Sequence, residues 1–587
     1  MAVQIQPLID ELSAISKKRA ADGWERYWRD CAAFCLPQES SFDALALTGS
    51  IAKLTMAVST ATAATRKTRT LYDQTSLWAI ERLTAGLITL KTPENGTWHS
   101  LAIDDPFGYE ATNEEEIWLE TQRNYLFKVR ANPRSGYWPA HKAAIRSMVA
   151  FGDGFVFMEE RFGDHRSPWR YEFVPLGECY HGVDAQGESN TMYRVRDMEA
   201  QQIVSKWGED AASADTVAKA KDPKRRADMV TVVHAVVPRP DTERNRVGVM
   251  GAPFVGVYFE YEAKKVIKES GFFEFPYIRH AWSRIGAKPY SEGPMALALA
   301  EIKSLNELAK NELVSAQQAV RPPLATVSEN LTRVNLNAGA VNAGLMNGDG
   351  RMLVAPIMTH NRPDFAQAVL ESRRSSVREM LYLNLWQILV ENPQMTATEA
   401  LLRAQEKGEL LGPVGISLNT GISYQVEREI GILARKGAFE AGSPLEMPES
   451  MHDAEITPVF TAPLDRMRQL DDVVGAQRLM SGILELAGID PTAMERVNTD
   501  EYLNIMQRGF GAPVKMLKSR EEIDAGKAQA AENAAPEQQM QGAAQMLEMA
   551  KLGGEAAQAV GGGGAAIQQM LQGGQGPAPN VAQAVAA

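Results

Sequence analysis

The sequence is poor in cysteine and in aromatic residues. Only three of its 587 residues are cysteines, and aromatic residues make up 7%. Three cysteines cannot form the disulfide framework of a small secreted protein or a four-cysteine zinc site. Cys31 and Cys35 are one helical turn apart and close to tryptophans, which favours reduced thiols in a core.

Long apolar runs are also missing. The run from Ile80 to Leu90 is broken by charge well short of the roughly 20 residues that cross a bilayer. The first residues, MAVQIQPLIDELSAISKKR, do not have a basic start followed by an apolar block, so they do not predict a secretory signal. We therefore expect no membrane partner and folding in the cytoplasm.

Motifs that carry catalysis are absent from the sequence. It contains no GxxxxGK[ST] phosphate loop, no HExxH, no paired CxxC and no GxSxG, and its eight histidines are scattered singly. The pairs Asp104-Asp105 and Asp471-Asp472 could hold magnesium, but no third carboxylate follows at a recognisable spacing, which favours solvated surface. Gly152-Asp-Gly154 is interpreted as a turn into a strand, because no helix start follows it as in a phosphate cradle. The sequence predicts no catalytic residue, no metal ligand and no cofactor.

The charge balance is acidic. The formal net charge is -12, which argues against a basic module that holds DNA by its phosphates. The composition, 45% hydrophobic and 23% charged, is that of a globular protein, and the length predicts two to four structural regions.

The first third of the chain predicts helices followed by an α+β region. Apolar residues spaced by three and four predict amphipathic helix from Ile5 to Phe34 and again from Trp78 to Leu87. The Ala/Thr/Ser-rich stretch 48–70 between them predicts an exposed loop. From about Tyr137 to Trp282, short β-branched and aromatic runs predict strands, with charged helix at 198–224.

The chain after Tyr290 is predicted to be mainly helical. A helix starting at Pro294 carries one apolar stripe. The stripe comprises Ile302, Leu305, Ala309, Leu313, Ala316 and Val320. A second helix is capped by Asp364, and a third begins at the capping box 396–399 and is kinked or broken at Gly412-Pro413. Beyond about 525 the Ala/Gln/Gly composition predicts disorder or marginal helix.

Several short motifs, in this order, resemble the head-to-tail connecting, or portal, family of short-tailed bacteriophages. The resemblance spans roughly residues 1–520 and departs from the family at 48–70 and in the tail. The motifs are Leu71-Tyr-Asp-Gln-Thr75, Ala85-Gly86-Leu87, the Trp98 turn, Phe151-Gly-Asp-Gly154, Phe173-Val-Pro-Leu176, Tyr290-Ser-Glu-Gly-Pro294, Arg321-Pro-Pro-Leu324, Thr396-Ala-Thr-Glu-Ala400 and Leu411-Gly-Pro-Val414.

The resemblance implies an α+β, mostly helical portal fold that assembles as a ring of wing, stem, clip and crown. Its implied parts are a wing at 1–290, stem helix 1 at 291–320, a clip at 321–363, stem helix 2 at 364–384, a tunnel loop at 385–395, a long wing helix and return at 396–455, a crown at 456–524 and a low-complexity tail at 525–587.

The resemblance also implies a function. The ring, of about twelve copies, would stand at one capsid vertex of the virion, form the channel for DNA packaging and ejection, and lie in the host cytoplasm during assembly. Implied partners are the terminase large subunit, the tail adaptor and nozzle proteins, the major capsid and scaffolding proteins, and double-stranded DNA that passes without sequence readout. The residues expected to face DNA are Lys303, Lys310, Arg373, Arg374, Arg378, Asn392 and Gln394.

Alternatives remain at this point. The basic residues could instead form ion pairs within or between subunits, for example Lys303 with Glu307, and Asn392 and Gln394 could form an ordinary turn. The whole chain could be another tail or ejection component of the virion, or a metal-dependent hydrolase built on the α+β region.

Overall fold

The computed structural model describes most of the chain up to residue 510. The described residues are 4–36, 71–104, 111–161, 163, 166–240, 248–283, 288–326, 334–335, 337, 339–357, 363–383, 397–451, 454–487 and 497–510. The loop expected at 48–70, the tunnel loop and the tail lie outside them.

Twelve α-helices lie within the described residues. They are α1 (Ile5–Ala21), α2 (Trp24–Cys35), α3 (Thr75–Lys91), α4 (Asn113–Ala131), α5 (Tyr137–Phe151), α6 (Ala200–Trp207), α7 (Ala214–Lys221), α8 (Pro294–Val320), α9 (Pro363–Met380), α10 (Ala397–Arg435), α11 (Pro463–Ala487) and α12 (Thr499–Phe510).

Twelve strands accompany them in four antiparallel sheets. They are β1 (His99–Ile103), β2 (Asp153–Glu160), β3 (Trp169–Val174), β4 (Cys179–Val183), β5 (Ser189–Glu199), β6 (Met229–Pro238), β7 (Phe254–Glu260), β8 (Lys265–Phe272), β9 (Tyr277–Ala281), β10 (Leu324–Thr326), β11 (Val354–Pro356) and β12 (Ile456–Phe460). The sheet orders are β1-β12, β10-β11, β3-β2-β9 and β4-β5-β6-β7-β8. The predicted α+β class is confirmed.

The amino-terminal amphipathic segment is two helices rather than one. Gly23 separates them with a φ of 80°, a left-handed conformation that costs glycine little and other residues more. Both helices nevertheless bury the predicted face, and Leu12, Trp28 and Cys35 are fully buried in one core with α3 and α5.

The long helix α10 corrects another prediction. Gly412-Pro413 does not break it, because the helix is continuous over 39 residues, while the kink at this position stays a prediction. An internal proline costs a helix about 3 kcal/mol. The buried face just beyond, with Val414, Leu418 and Ile422, packs on the body of the fold and offsets that cost. The second long helix begins at Pro363, so Asp364 lies in its first turn and not at the cap.

Distant parts of the chain are joined by a buried ion pair. Lys91 at the end of α3 donates to Asp465 in the first turn of α11, with Nζ 2.6 Å from Oδ1. Lys91 is 1% exposed and its ammonium lies over the Phe460 ring. Since β12 also pairs with β1, the segment after residue 455 is tied to the amino-terminal half.

The described helices include none that is both long and apolar enough to cross a membrane.

Candidate functional site

The base of α8 is fixed by a polar joint. The turn Gly152-Asp153-Gly154 leads into β2, as predicted, and packs against the residues that precede α8. Asp153 is fully buried and accepts from Arg279 Nε at 2.7 Å through Oδ1 and from the Ser291 amide at 2.6 Å through Oδ2. Arg279 Nη2 also donates to Ser291 Oγ at 2.9 Å. One carboxylate thus holds both the β9 strand and the segment that leads into α8.

The two glycines allow this approach. A Cβ at Gly152 would lie well inside contact distance of the Ser291 carbonyl, and a Cβ at Gly154 would collide with the Ala144 carbonyl of α5. Gly152 also has a φ of 104°, which side chains rarely adopt. The two segments quoted above as separate motifs are therefore in direct contact.

Tyr290 extends the joint into the core. Its ring meets Trp28 edge-on with centroids 4.9 Å apart, and its hydroxyl lies 3.3 Å from both the Cys179 carbonyl and the His181 amide. Buried Met295 continues the contact along α8. The base of α8 is thereby built into the α+β region.

The helix α9 returns alongside α8. The short pair β10 and β11 closes the segment between them, and the Ile357 amide donates to the Pro323 carbonyl at 2.8 Å. Arg373 of α9 then reaches Glu301 of α8 at 2.7 Å. The two helices form a hairpin that rises from the joint.

Every basic candidate on this hairpin is paired with a carboxylate of the same chain. The pairs are Lys303 with Asp30 at 2.7 Å, Lys310 with Glu307 at 3.6 Å, Arg373 with Glu301 at 2.7 Å, Arg374 with Asp73 at 3.0 Å, and Arg378 with Glu371 at 2.8 Å. Lys303 thus pairs with Asp30 of α2 and not with Glu307. All five cations remain partly exposed, so solvent screens these ion pairs and each contributes little to stability. Their role toward DNA stays a prediction, and Asn392 and Gln394 lie outside the described residues.

The apolar stripe of α8 is buried only near the base. Ile302 and Leu305 are in the core, whereas Leu313 is 48% and Val320 is 81% exposed. Within the described part of the chain, no residue of α8 beyond Asn306 is buried. The far half of α8 therefore presents apolar side chains that the described part of the chain leaves exposed.

The described histidines are structural. His99, His141, His181, His234 and His280 are all at most 3% exposed. No group of three or more His, Cys, Asp or Glu that could hold a metal ion lies in the described ranges. The three cysteines are buried and free, and burial raises the pKa of Cys31 to about 12, which leaves that thiol protonated and inert.

Buried neutral histidines should make the fold acid-sensitive. Burial lowers the pKa of His280 to about 4 and holds the pKa values of His99, His141 and His234 well below 6.5. These groups stay neutral in the folded chain but protonate in the unfolded chain below about pH 6.5, so their contribution is complete above that pH and is lost as pH falls toward their folded pKa values. As pH falls through that window, each of these four histidines lowers the free energy of unfolding by about 1.4 kcal/mol per pH unit.

The measurement is urea unfolding between pH 7.5 and 5. Asp197 and Glu427, whose pKa values burial raises, act in the opposite direction but are two groups against four. We expect the unfolding midpoint to fall steadily below pH 6.5. A midpoint that is flat or rises down to pH 5 would show that these histidines are not neutral in the fold.

Sequence reasoning selected the charged residues of the hairpin and missed the joint that holds it. The motifs that contain Asp153 and Ser291 were named separately, but they were not linked to each other, and Arg279 was not named. A signal was present, because Asp153 sits between two glycines and Ser291 lies just before a glycine and a helix-starting proline.

Comparison with known proteins gives four similarities. The model of the family described as bacteriophage head to tail connecting protein matches residues 6–517. The chain is 23% identical over 541 residues to the portal protein of Salmonella phage epsilon15, covering 91% of this chain and 92% of that protein. It is 22% identical over 506 residues to the probable portal protein of Bordetella phage BPP-1, covering 84% and 86%. A chain in the virion of a native gene transfer agent (GTA) particle matches with a TM-score of 0.30 and 11% identity, covering 66% of this chain and 91% of that one.

Proposed function

Because the chain belongs to the bacteriophage head to tail connecting protein family, a family of non-enzymatic virion proteins, we propose that it is the subunit of a closed portal ring. The ring has about twelve copies and stands at one capsid vertex. Its central channel carries double-stranded DNA into the capsid during packaging and out during ejection. The family match argues against the alternative that the chain is a metal-dependent hydrolase.

The uncovered far half of α8 supports ring assembly. Leu313, Val314 and Val320 lie on a part of α8 that the described residues leave exposed, and such apolar patches mark protein interfaces. A surface of one copy that packs on a different surface of the next generates a ring when the rotation closes. Neighbouring hairpins then line the channel, as the stem helices proposed at 291–320 and 364–384.

The segment between the hairpin helices supports docking at the ring's end. Its described residues include exposed apolar side chains, with Val341 at 95%, Met352 at 77% and Met346 at 63% exposure. Flexible methionine-bearing surfaces adapt to more than one partner. We assign this proposed clip to contacts with the terminase large subunit during packaging and with the tail adaptor and nozzle proteins later. The major capsid and scaffolding proteins contact the proposed wing.

The paired charges support a channel that guides DNA without gripping it. Each cation of the hairpin shares its field with a carboxylate, so a passing phosphate meets a weakened attraction. The net charge of -12 per copy does not favour long-lived binding to DNA, because such binding needs basic residues that neutralise phosphates and release counterions. The proposed passage is therefore independent of sequence, with Lys303, Lys310, Arg373, Arg374 and Arg378, and Asn392 and Gln394 of the proposed tunnel loop, as its lining.

Glutamates placed on the exposed part of the apolar stripe of α8 should prevent ring assembly without unfolding the subunit. In the double variant Leu313→Glu with Val320→Glu, both new carboxylates are solvated in the monomer but would be buried at the interface. We expect native mass spectrometry to show the ring population fall at least about tenfold, with an unchanged circular dichroism spectrum.

A matched control separates the stripe from a general effect of charge. Met229 is 51% exposed at the start of β6, away from the hairpin, and Met229→Glu should leave the ring intact. Normal rings in the double variant would rule out the far half of α8 as an assembly surface. A tail or ejection component need not form a closed ring from the unmodified chain.

A further inference from the structure

An open groove lies just beyond the end of α10. Its volume is about 390 Å³, within the range of roughly 300–1,000 Å³ typical of ligand pockets. Its lining divides into an apolar floor and an acidic rim. The floor is Ala434, Phe439, Ala441 and Met447, and the rim is Glu440, Glu446 and Glu449.

The floor is held in place by contacts behind it. Trp118 of α4 meets the Phe439 ring edge-on at 5.5 Å and donates its indole N–H to the Leu445 carbonyl at 3.2 Å. The Met447 amide donates to the Phe439 carbonyl at 3.2 Å, which closes the loop around the groove. A preformed groove does not need to be ordered when a partner binds.

No ion pair among the described residues neutralises the rim. In the described residues none of the three glutamates forms an ion pair, and the two basic residues at the end of α10 have other partners. Arg435 is paired with Glu274, and the Lys436 ammonium donates to the carbonyls of Arg161 and Pro168. The rim therefore presents three carboxylates that have no cationic partner among the described residues, and one of them, Glu446, accepts from the Gly442 amide at 2.9 Å.

The apolar floor and the acidic rim together favour one class of ligand. A divalent ion is disfavoured, because no group of three carboxylates in the described residues is close enough to ligate one metal. Nucleic acid is repelled by the rim. An arginine or lysine matches both parts, since its aliphatic stem covers apolar surface while its cationic head reaches a carboxylate.

We propose that this groove docks an exposed polypeptide segment of a partner protein in which arginine or lysine alternates with apolar residues. The apolar side chains lie on Phe439 and Met447, and the cations reach Glu440, Glu446 and Glu449. This interaction does not depend on ring formation.

The test uses a fluorescein-labelled synthetic peptide in which arginine alternates with leucine, titrated into the full-length chain. The triple variant Glu440→Gln, Glu446→Gln and Glu449→Gln should bind it about tenfold more weakly or worse. The matched control changes three exposed glutamates elsewhere, Glu94, Glu262 and Glu501, to Gln and should bind within about twofold of the unchanged chain. The two triples have the same net charge.

Three results would overturn the proposal. The first is no measurable binding to the unchanged chain. The second is an equal loss in both triples, which would show only general attraction to an acidic protein. The third is unchanged binding to Ala441→Trp, a variant at an exposed position that fills the groove without entering the core. Circular dichroism of each variant confirms that the fold is retained.

Discussion

Gly154→Ala is expected to destabilise the chain by about 3 kcal/mol or more. The new methyl group would collide with the Ala144 carbonyl of α5, and backbone on both sides is fixed by secondary structure. Relief requires β2 to move away from α5, which would also shift Asp153 off the Ser291 amide. The joint that positions α8 would open. The urea midpoint, followed by tryptophan fluorescence, should fall sharply.

Gly475→Ala is the matched control for this substitution. Gly475 is an exposed residue of α11, and a Cβ there would meet nothing within 4 Å. Alanine is favoured over glycine inside a helix by about 1 kcal/mol, so this variant should be as stable as the unchanged chain or slightly more so. Equal midpoints for Gly154→Ala and Gly475→Ala would mean that the approach of β2 to α5 is not tight.

Glu429→Gln is the second change with a large expected effect, about 3–5 kcal/mol. Arg130 of α4 and Glu429 of α10 are both buried, and Arg130 Nε lies 3.0 Å from Glu429 Oε1. The same carboxylate accepts from Tyr171 and, at 2.8 Å, from Gln425. Burial alone would lower the pKa of Arg130, and Glu429 reverses this and holds it above its ordinary value. Removing the carboxylate charge leaves a buried guanidinium without compensation.

Two further variants separate burial from the loss of any ion pair. Glu209 forms a 2.6 Å pair with Lys221 in which both side chains are more than half exposed, so Glu209→Gln should cost less than about 1 kcal/mol. The double variant Arg130→Met with Glu429→Met should be more stable than Glu429→Gln alone, because no buried charge remains. A double variant less stable than the single one would contradict a dominant role for the unpaired charge.

Sequence reasoning predicted those parts of the fold that depend on local pattern. The strands β2, β3, β6 and β7 lie in the region predicted to form strands, although the helix α5 occupies its start, and α8 begins at Pro294 as predicted. Its errors arose where long-range contacts decide. The proline in α10 breaks a helix in isolation, but packing of the residues beyond it keeps the helix continuous.

The functional surface was only partly predictable for the same reason. The stripe on α8 was visible as spacing, yet its division into a buried base and an open far half depends on where the rest of the fold stops. The basic residues of the hairpin could be selected by type, but their partners, such as Asp30 and Asp73, come from segments more than 250 residues away. No local pattern links such residues.

The two halves of α8 differ in their contacts. Its base is held in the α+β region by Asp153, Arg279 and Tyr290, while its far half is exposed among the described residues. A subunit built in this way can fold by itself and still present a directed assembly surface. The proposed ring then inherits its channel geometry from the angle at which the joint holds α8.

Native mass spectrometry of the purified full-length chain, combined with negative-stain imaging, tests the central claim most directly. We predict one dominant closed ring of about twelve copies with a central hole. Only monomers and dimers at every protein concentration, or open helical polymers, would contradict assembly into a portal ring.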